Sequence, residues 1–190
     1  METIKDRLTY NFDNKRCCCF ERKVDNYKIE NKRGYILDFN DDYVLLQDMD
    51  DFEVNGYLII PTNTISKVRF NNNDRYYEKI LHWEKLTDKI EKKHDINLSN
   101  WKSIFNSIKN LNLNVIIENE NPDDCTFDIG PIIEVSKEAV YIRYFNAKGL
   151  LDTEITKIIW SKITLVRFDD RYINTFSKYL RERKEKSETK

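Results

Sequence analysis

Ile65-Ser66-Lys67-Val68-Arg69-Phe70, followed by Asp74-Arg75-Tyr76, returns as Ile163-Thr164-Leu165-Val166-Arg167-Phe168, followed by Asp170-Arg171-Tyr172. The chain is an internal duplication. The offset is 96 residues at Gly34/Gly130 and Val44/Val140, 98 at Ile65/Ile163 and 96 again at the Asp-Arg-Tyr triplets, the slippage that short loop insertions produce between paired copies. A chain of 190 residues has room for one larger domain or two small ones of about 90 residues, and the duplication selects two, residues 1–94 and residues 95–190.

Upstream of the repeated stretch, residues 34–39 pass through a polar turn, Asn40-Asp41-Asp42, into residues 43–47, which predicts a β-hairpin. Residues 48–55 form a second acidic loop, and residues 56–60 another strand. The second copy follows the same course at residues 130–135, 139–145, 153–160 and 163–168. Apolar residues three and four apart, Tyr76/Tyr77/Ile80/Leu81 and Tyr172/Ile173/Phe176/Tyr179/Leu180, predict a helix after the last strand of each copy. The first of these is expected to run from Asp74 to about residue 93, with Trp83, Leu86 and Ile90 extending its stripe. Ser99 is the expected N-cap of a further amphipathic helix carrying Trp101, Ile104, Phe105 and Ile108, ahead of a strand at residues 113–118. The matching pieces of the first copy fall at residues 4–12 and 17–21, where alternation at Leu8, Tyr10 and Phe12 leaves helix and strand both open. Trp83 and Trp101 flank the linker and are expected to wedge the copies together. Residues 181–190 alternate charge without an apolar stripe and read as a frayed tail.

A helix followed by a bent five-stranded meander, with a glycine opening the second strand, resembles the Sm-like (LSm) barrel, a small SH3-like fold. Gly34, Ile36, Phe39, Asn40, Tyr43, Leu46 and Asp48 match the first Sm motif if one position is dropped. Ile60, Ile65 and Val68, and again Ile158, Ile163 and Val166, match the apolar positions of the second. The dropped position is the family's base-contacting asparagine, and its Arg-Gly pair is replaced by Pro61-Thr62 and Ile159-Trp160. The resemblance therefore implies a fold more than it implies RNA contact. The expected class is α+β, mainly β: two tandem small SH3/Sm-like β-barrels with amphipathic helices before or after each.

Composition narrows the function. With Lys plus Arg 32 and Asp plus Glu 33, the formal net charge is -1, which gives no general attraction for polyanions. No apolar run approaches the roughly 18 residues of a membrane span, and the start lacks a signal peptide's apolar core, so a cytoplasmic location is expected. Cys17, Cys18 and Cys19 are adjacent and Cys125 stands alone, which is no spaced disulfide framework. In a strand Cys17 and Cys19 share a side, and Leu113 and Val115 stand at their places in the second copy, so buried reduced thiols are expected rather than a metal or redox site. The run Asp48-Met49-Asp50-Asp51-Phe52-Glu53 lacks the glycine and distant glutamate of a calcium loop. There is no Gly-rich phosphate loop and no nucleophile elbow, and His82 and His94 are the only histidines. No catalytic residue, metal or cofactor is expected.

Two groups of residues remain. Asp38, Asp41, Asp42, Asp48, Asp50, Asp51 and Glu53 are concentrated in two loops, and no Lys or Arg occurs from Gly34 through Ser66. Asp41, Asp42, Asp48, Asp50, Asp51 and Glu53 are the candidate surface for a basic partner, against the plainer reading of solvated turns. Arg69, Asp74, Arg75 and Tyr76 recur as Arg167, Asp170, Arg171 and Tyr172. These junction residues are expected to be structural, the aspartate capping a helix and the arginine pinned onto the fold. The sequence thus points to a non-enzymatic protein-binding module, one form of which is a bacterial immunity-type protein, monomeric or weakly dimeric. An RNA-binding Sm-like protein and an oligomerising structural protein are the alternatives.

Overall fold

Each copy contributes five strands to a single antiparallel sheet. In the computed structural model, which describes residues 2–183, the first copy runs α1 (Ile4–Asp13), β1 (Cys17–Val24), β2 (Tyr27–Phe39), β3 (Tyr43–Asp50), β4 (Glu53–Pro61), β5 (Ile65–Arg69) and α2 (Asn72–Trp83). The second runs α3 (Trp101–Asn110), β6 (Asn114–Asn119), β7 (Thr126–Val135), β8 (Ala139–Ile142), β9 (Leu150–Leu151), β10 (Thr156–Ile159), β11 (Leu165–Phe168), α4 (Arg171–Ser177) and β12 (Arg181–Glu182). The strand order is β10-β8-β7-β6-β11-β4-β3-β2-β1-β5, and β9 pairs separately with β12.

The expected pair of separate, closed SH3/Sm-like barrels does not form. The first copy is ordered β5-β1-β2-β3-β4 and the second β11-β6-β7-β8-β10, so closing either would require its two outer strands to meet. Instead β4 pairs with β11, Val166 opposite Ile59, Arg167 opposite Leu58 and Phe168 opposite Tyr57. The result is one open sheet, ten strands wide. Composition at the junction explains the choice. Tyr57, Leu58, Ile59 and Ile60 are all buried, as are Leu165, Val166 and Phe168, and a strand apolar on both faces is suited to the middle of a sheet rather than to an edge. Gly56 makes the close approach possible: a Cβ there would lie 2.4 Å from the backbone nitrogen of Asp170.

The core crosses the boundary between the copies as the sheet does. On one face Leu45, Tyr57 and Ile59 pack with Ile104, Phe105 and Ile108 of α3 and with Val166 and Phe168. On the other, Leu165 joins Leu8 of α1, Cys18, Phe20, Leu46 and Leu58. Irregular pairing at Phe20/Arg22, Ile36/Asp38 and Gln47/Met49 bends the strands over these layers.

Local chemistry sets the helices. Thr3 and Asp6 form a capping box on α1, which settles residues 4–13 as helix, with Leu8 buried and Tyr10 exposed. Asn100, not Ser99, caps α3 by accepting the Ser103 N–H at 2.9 Å. Helix α2 stops at Trp83, well short of residue 93: Lys85 takes a left-handed conformation and the Leu86 N–H reaches back to the Leu81 carbonyl. That places Trp83 at the surface, 64% exposed, so it wedges nothing, whereas Trp101 is buried with its ring 4.7 Å from that of Tyr43 in the other copy. Of the expected tail, Arg181 and Glu182 form β12, with Glu182 held by Arg143, and residues 184–190 lie outside the described residues.

Candidate functional site

Strand β3 separates the two acidic loops. Asp41 and Asp42 sit on the β2–β3 turn at one end, and Asp50 and Asp51 on the β3–β4 turn at the other, about 25 Å away at the usual rise of a strand. The candidate acidic surface is therefore two surfaces. Asp41 is exposed and pairs with Lys5. Two acids of the group pair with the second copy: Asp48, 6% exposed, accepts from Arg167 Nη1 at 3.0 Å, and Glu53, exposed at the surface, accepts from Arg171 Nη1 at 2.9 Å. The bases absent from the sequence around the acidic run are thus supplied across the repeat boundary.

What the structure brings together is a groove of about 440 Å³ beside the β3–β4 hairpin, in which Asp48, Asp50 and Asp51 meet both repeated arginines, Arg69 and Arg167. Glu30, Lys32, Arg33, Phe52 and Tyr77 are among its other lining residues. Lys32 and Arg33 have Asp128 and Ile129 at their places in the second copy, so the repeat gave no signal for them. Phe52 was hidden within the acidic run.

The hairpin tip is unusual in its backbone. Asp51 and Phe52 have φ of 46° and 62°, the pair of left-handed residues that a tight hairpin turn requires and that Asn-Gly ordinarily supplies. A phenylalanine in that region is strained. Its backbone N–H donates to Tyr77 Oη, its ring stacks on the Tyr77 ring at 4.6 Å, and Arg33 covers the Tyr77 ring at 4.4 Å. Phe52 remains 40% exposed.

The junction residues take different parts in the two copies. In the first, Asn71 caps α2 and Asp74 is the third residue of its capping box; Asp74 is fully buried and accepts two bonds from Arg69 and one from the Asn71 N–H. Burial pushes its carboxyl upward, but those bonds and the charge of Arg33 hold it below the usual carboxylate range. In the second, Asp170 is itself the cap, receiving the Ile173 N–H at 2.6 Å, and burial raises its carboxyl. Arg167 is accordingly released from its own aspartate and bonds Asp48 and Glu118. Arg75 lies over the Phe70 ring, and Tyr76 and Tyr172 are both exposed on helix surfaces away from the groove.

Burial and charge oppose each other at Asp48. Its carboxyl is pushed up to about 6, because desolvation outweighs the attraction of Arg167 and Lys32. The three adjacent cysteines are buried on both faces of β1, Cys17 under α2 and Cys18 under α1, and burial pushes the Cys18 thiol up to about 12. Thiols held protonated in this way are poor nucleophiles and poor metal ligands.

Comparison with family models, curated proteins and solved structures finds no match to the chain. No helix among the described residues is long and apolar enough to cross a membrane.

Proposed function

We propose that the chain is a non-enzymatic protein-binding module that engages a basic partner at the tip of the β3–β4 hairpin. One observation carries this reading: the strained turn Asp50-Asp51-Phe52-Glu53 holds the partly exposed Phe52 beside Asp50 and Asp51, while Asp48 and Glu53 are engaged by the second copy. A ring and neighbouring carboxylates offer an arginine or lysine both a π face and a charge-assisted hydrogen bond. The groove behind it interleaves cations and carboxylates, which does not favour a phosphate backbone. A reducing, cytoplasmic setting belongs to the same reading, supported by four unpaired cysteines.

The test is calorimetric titration with an arginine- and lysine-rich peptide, run beside a short single-stranded RNA. Peptide binding is expected to weaken with salt, to fall at least about tenfold in Asp50→Lys/Asp51→Lys, and to survive Asp41→Lys/Asp42→Lys. Equal losses in the two double variants would mean that net charge, not the hairpin, drives binding, and tighter salt-dependent binding of the RNA would favour the rival class. An immunity-type role additionally requires that a basic toxic protein lose activity when the module is added.

A second reading, self-association, is favoured by the β4–β11 pairing. The strands that correspond to β11 and β4 in the opposite copies are β5 and β10, and these are the two outer edges of the sheet. Sedimentation over a wide concentration range tests it; a monomer at every concentration would remove it.

A further inference from the structure

The irregular pairing at Gln47/Met49 turns β3 away from β2 as the strands approach the hairpin tip. Pairing between the two begins only at Gly34 opposite Asp48. No strand therefore pairs with residues 27–33 of β2 on the side away from β1, and no loop backbone does so either. The second copy shows what such an edge can hold. There Arg143 and Phe145, the counterparts of Gln47 and Met49, donate their N–H groups to the carbonyls of Pro131 at 3.0 Å and Ile129 at 3.1 Å, on the side of β7 away from β6. In the first copy the ladder stops one pair earlier: Met49 pairs with Val54 of β4 but not with Arg33, the counterpart of Ile129. An edge of unpaired N–H and C=O groups is a template for another strand. Lys28 and the irregular pairing at Phe20/Arg22 guard its outer end against indiscriminate pairing. Its inner end, Glu30 to Arg33, lines the groove beside the β3–β4 hairpin together with Asp48 to Phe52.

Charge selects what an added strand must carry. Every cation lining the groove is answered: Lys32 pairs with Glu30, Arg33 and Arg69 with Asp74, and Arg167 with Asp48. Asp50 and Asp51 have no cationic partner among the described residues, so the unanswered charge is negative. We propose that this edge of β2 is a strand-addition site for an extended basic segment of a partner protein. The backbone of the segment pairs with the open side of β2 up to Arg33, and its cationic side chains, which share one face of the added strand, meet Asp50, Asp51 and the partly exposed Phe52. In this mode main-chain hydrogen bonds supply affinity and the side chains supply selection. The inference rests on the hairpin reading and names the conformation of the segment bound there.

The experiment titrates the full chain with a short peptide that alternates arginine and valine, in three forms: unmodified, N-methylated at every valine, and N-methylated at every arginine. Successive amides of a strand point to opposite edges, so only one of the two sets of N–H groups can reach β2. One methylated peptide is expected to bind at least about tenfold more weakly than the unmodified form and the other nearly as well. Backbone amides within residues 29–33 are expected to exchange more slowly with solvent when the unmodified peptide is bound. Equal affinities of the two methylated peptides, or a bound peptide that leaves those amides exchanging as before, would overturn strand addition. If Asp50→Lys/Asp51→Lys still abolished binding in that case, the hairpin reading would stand without it. An unmodified peptide that does not bind at all would remove both.

Discussion

Asp48 carries the most informative single conflict in the molecule. Its carboxyl faces Arg167 and is almost wholly withdrawn from water, and the withdrawal wins, raising it to about 6 from the ordinary value near 3.9. A carboxyl raised on folding contributes stability that is complete below the unfolded value and lost as pH climbs through the folded one. Asp48 therefore costs the fold up to about 3 kcal/mol as pH rises from about 4 to about 7. Asp48→Asn keeps the shape and removes the titration, so the variant is expected to gain on the wild type across that window in denaturant unfolding followed at several pH values. Parallel pH profiles would show that the carboxyl is not withdrawn in this way. In the sequence Asp48 is one acid among many in a run without bases. What distinguishes it is Arg167, 119 residues away, and no local pattern encodes that pairing. The fate of Asp74 was easier to anticipate, because the groups that hold it, Asn71 and Arg69, are neighbours in the chain.

At the scale of elements, the apolar faces of the helices were more legible than their limits: the caps are Asn71 and Asn100 rather than Asp74 and Ser99, and Thr3 caps a segment whose sequence left helix and strand both open. Capping boxes at Thr3/Asp6 and Asn71/Asp74 are short-range chemistry, and the 3–4 spacing of Trp101, Ile104, Phe105 and Ile108 marks a face that is buried throughout. Three helices end differently, with Lys15, Lys85 and Asn112 in the left-handed position after the helix and a backbone bond from the next residue back to the last full turn. Glycine is the residue that announces this stop, and two of the three positions carry lysine instead. The stripe from Tyr76 to Ile90 therefore looked continuous although the helix breaks at Trp83. Lys85→Gly is expected to raise stability by roughly 0.5–1 kcal/mol by relieving the strained φ of 56°, read as a higher denaturant midpoint with an unchanged slope. A loss of stability would mean that the lysine side chain contributes more than its backbone costs.

For the whole molecule, the duplication made the strand content of each copy readable and concealed how the copies join. Repeated apolar segments specify five strands per copy, but whether the outer strands of one copy meet each other or those of its twin depends on partner choice among similar edges. Here Leu165 packs within the first copy's core and Ile59 within the second's, so neither half is complete alone. The full chain is expected to melt in one cooperative transition, and residues 1–94 made separately to show no cooperative melt and to aggregate through the bare β4 edge; two resolved transitions in the full chain would contradict this. The same splice constrains the order of synthesis. Strand β4 is finished at Pro61, while β11 is not finished until Phe168 has been added, an interval of roughly 5–20 seconds at ordinary translation rates. Throughout that interval the nascent first half carries an apolar strand waiting for a neighbour still to be made. On a polysome the nearest substitute is the β11 of the chain ahead, which makes strand exchange between successive chains the characteristic assembly error of this architecture.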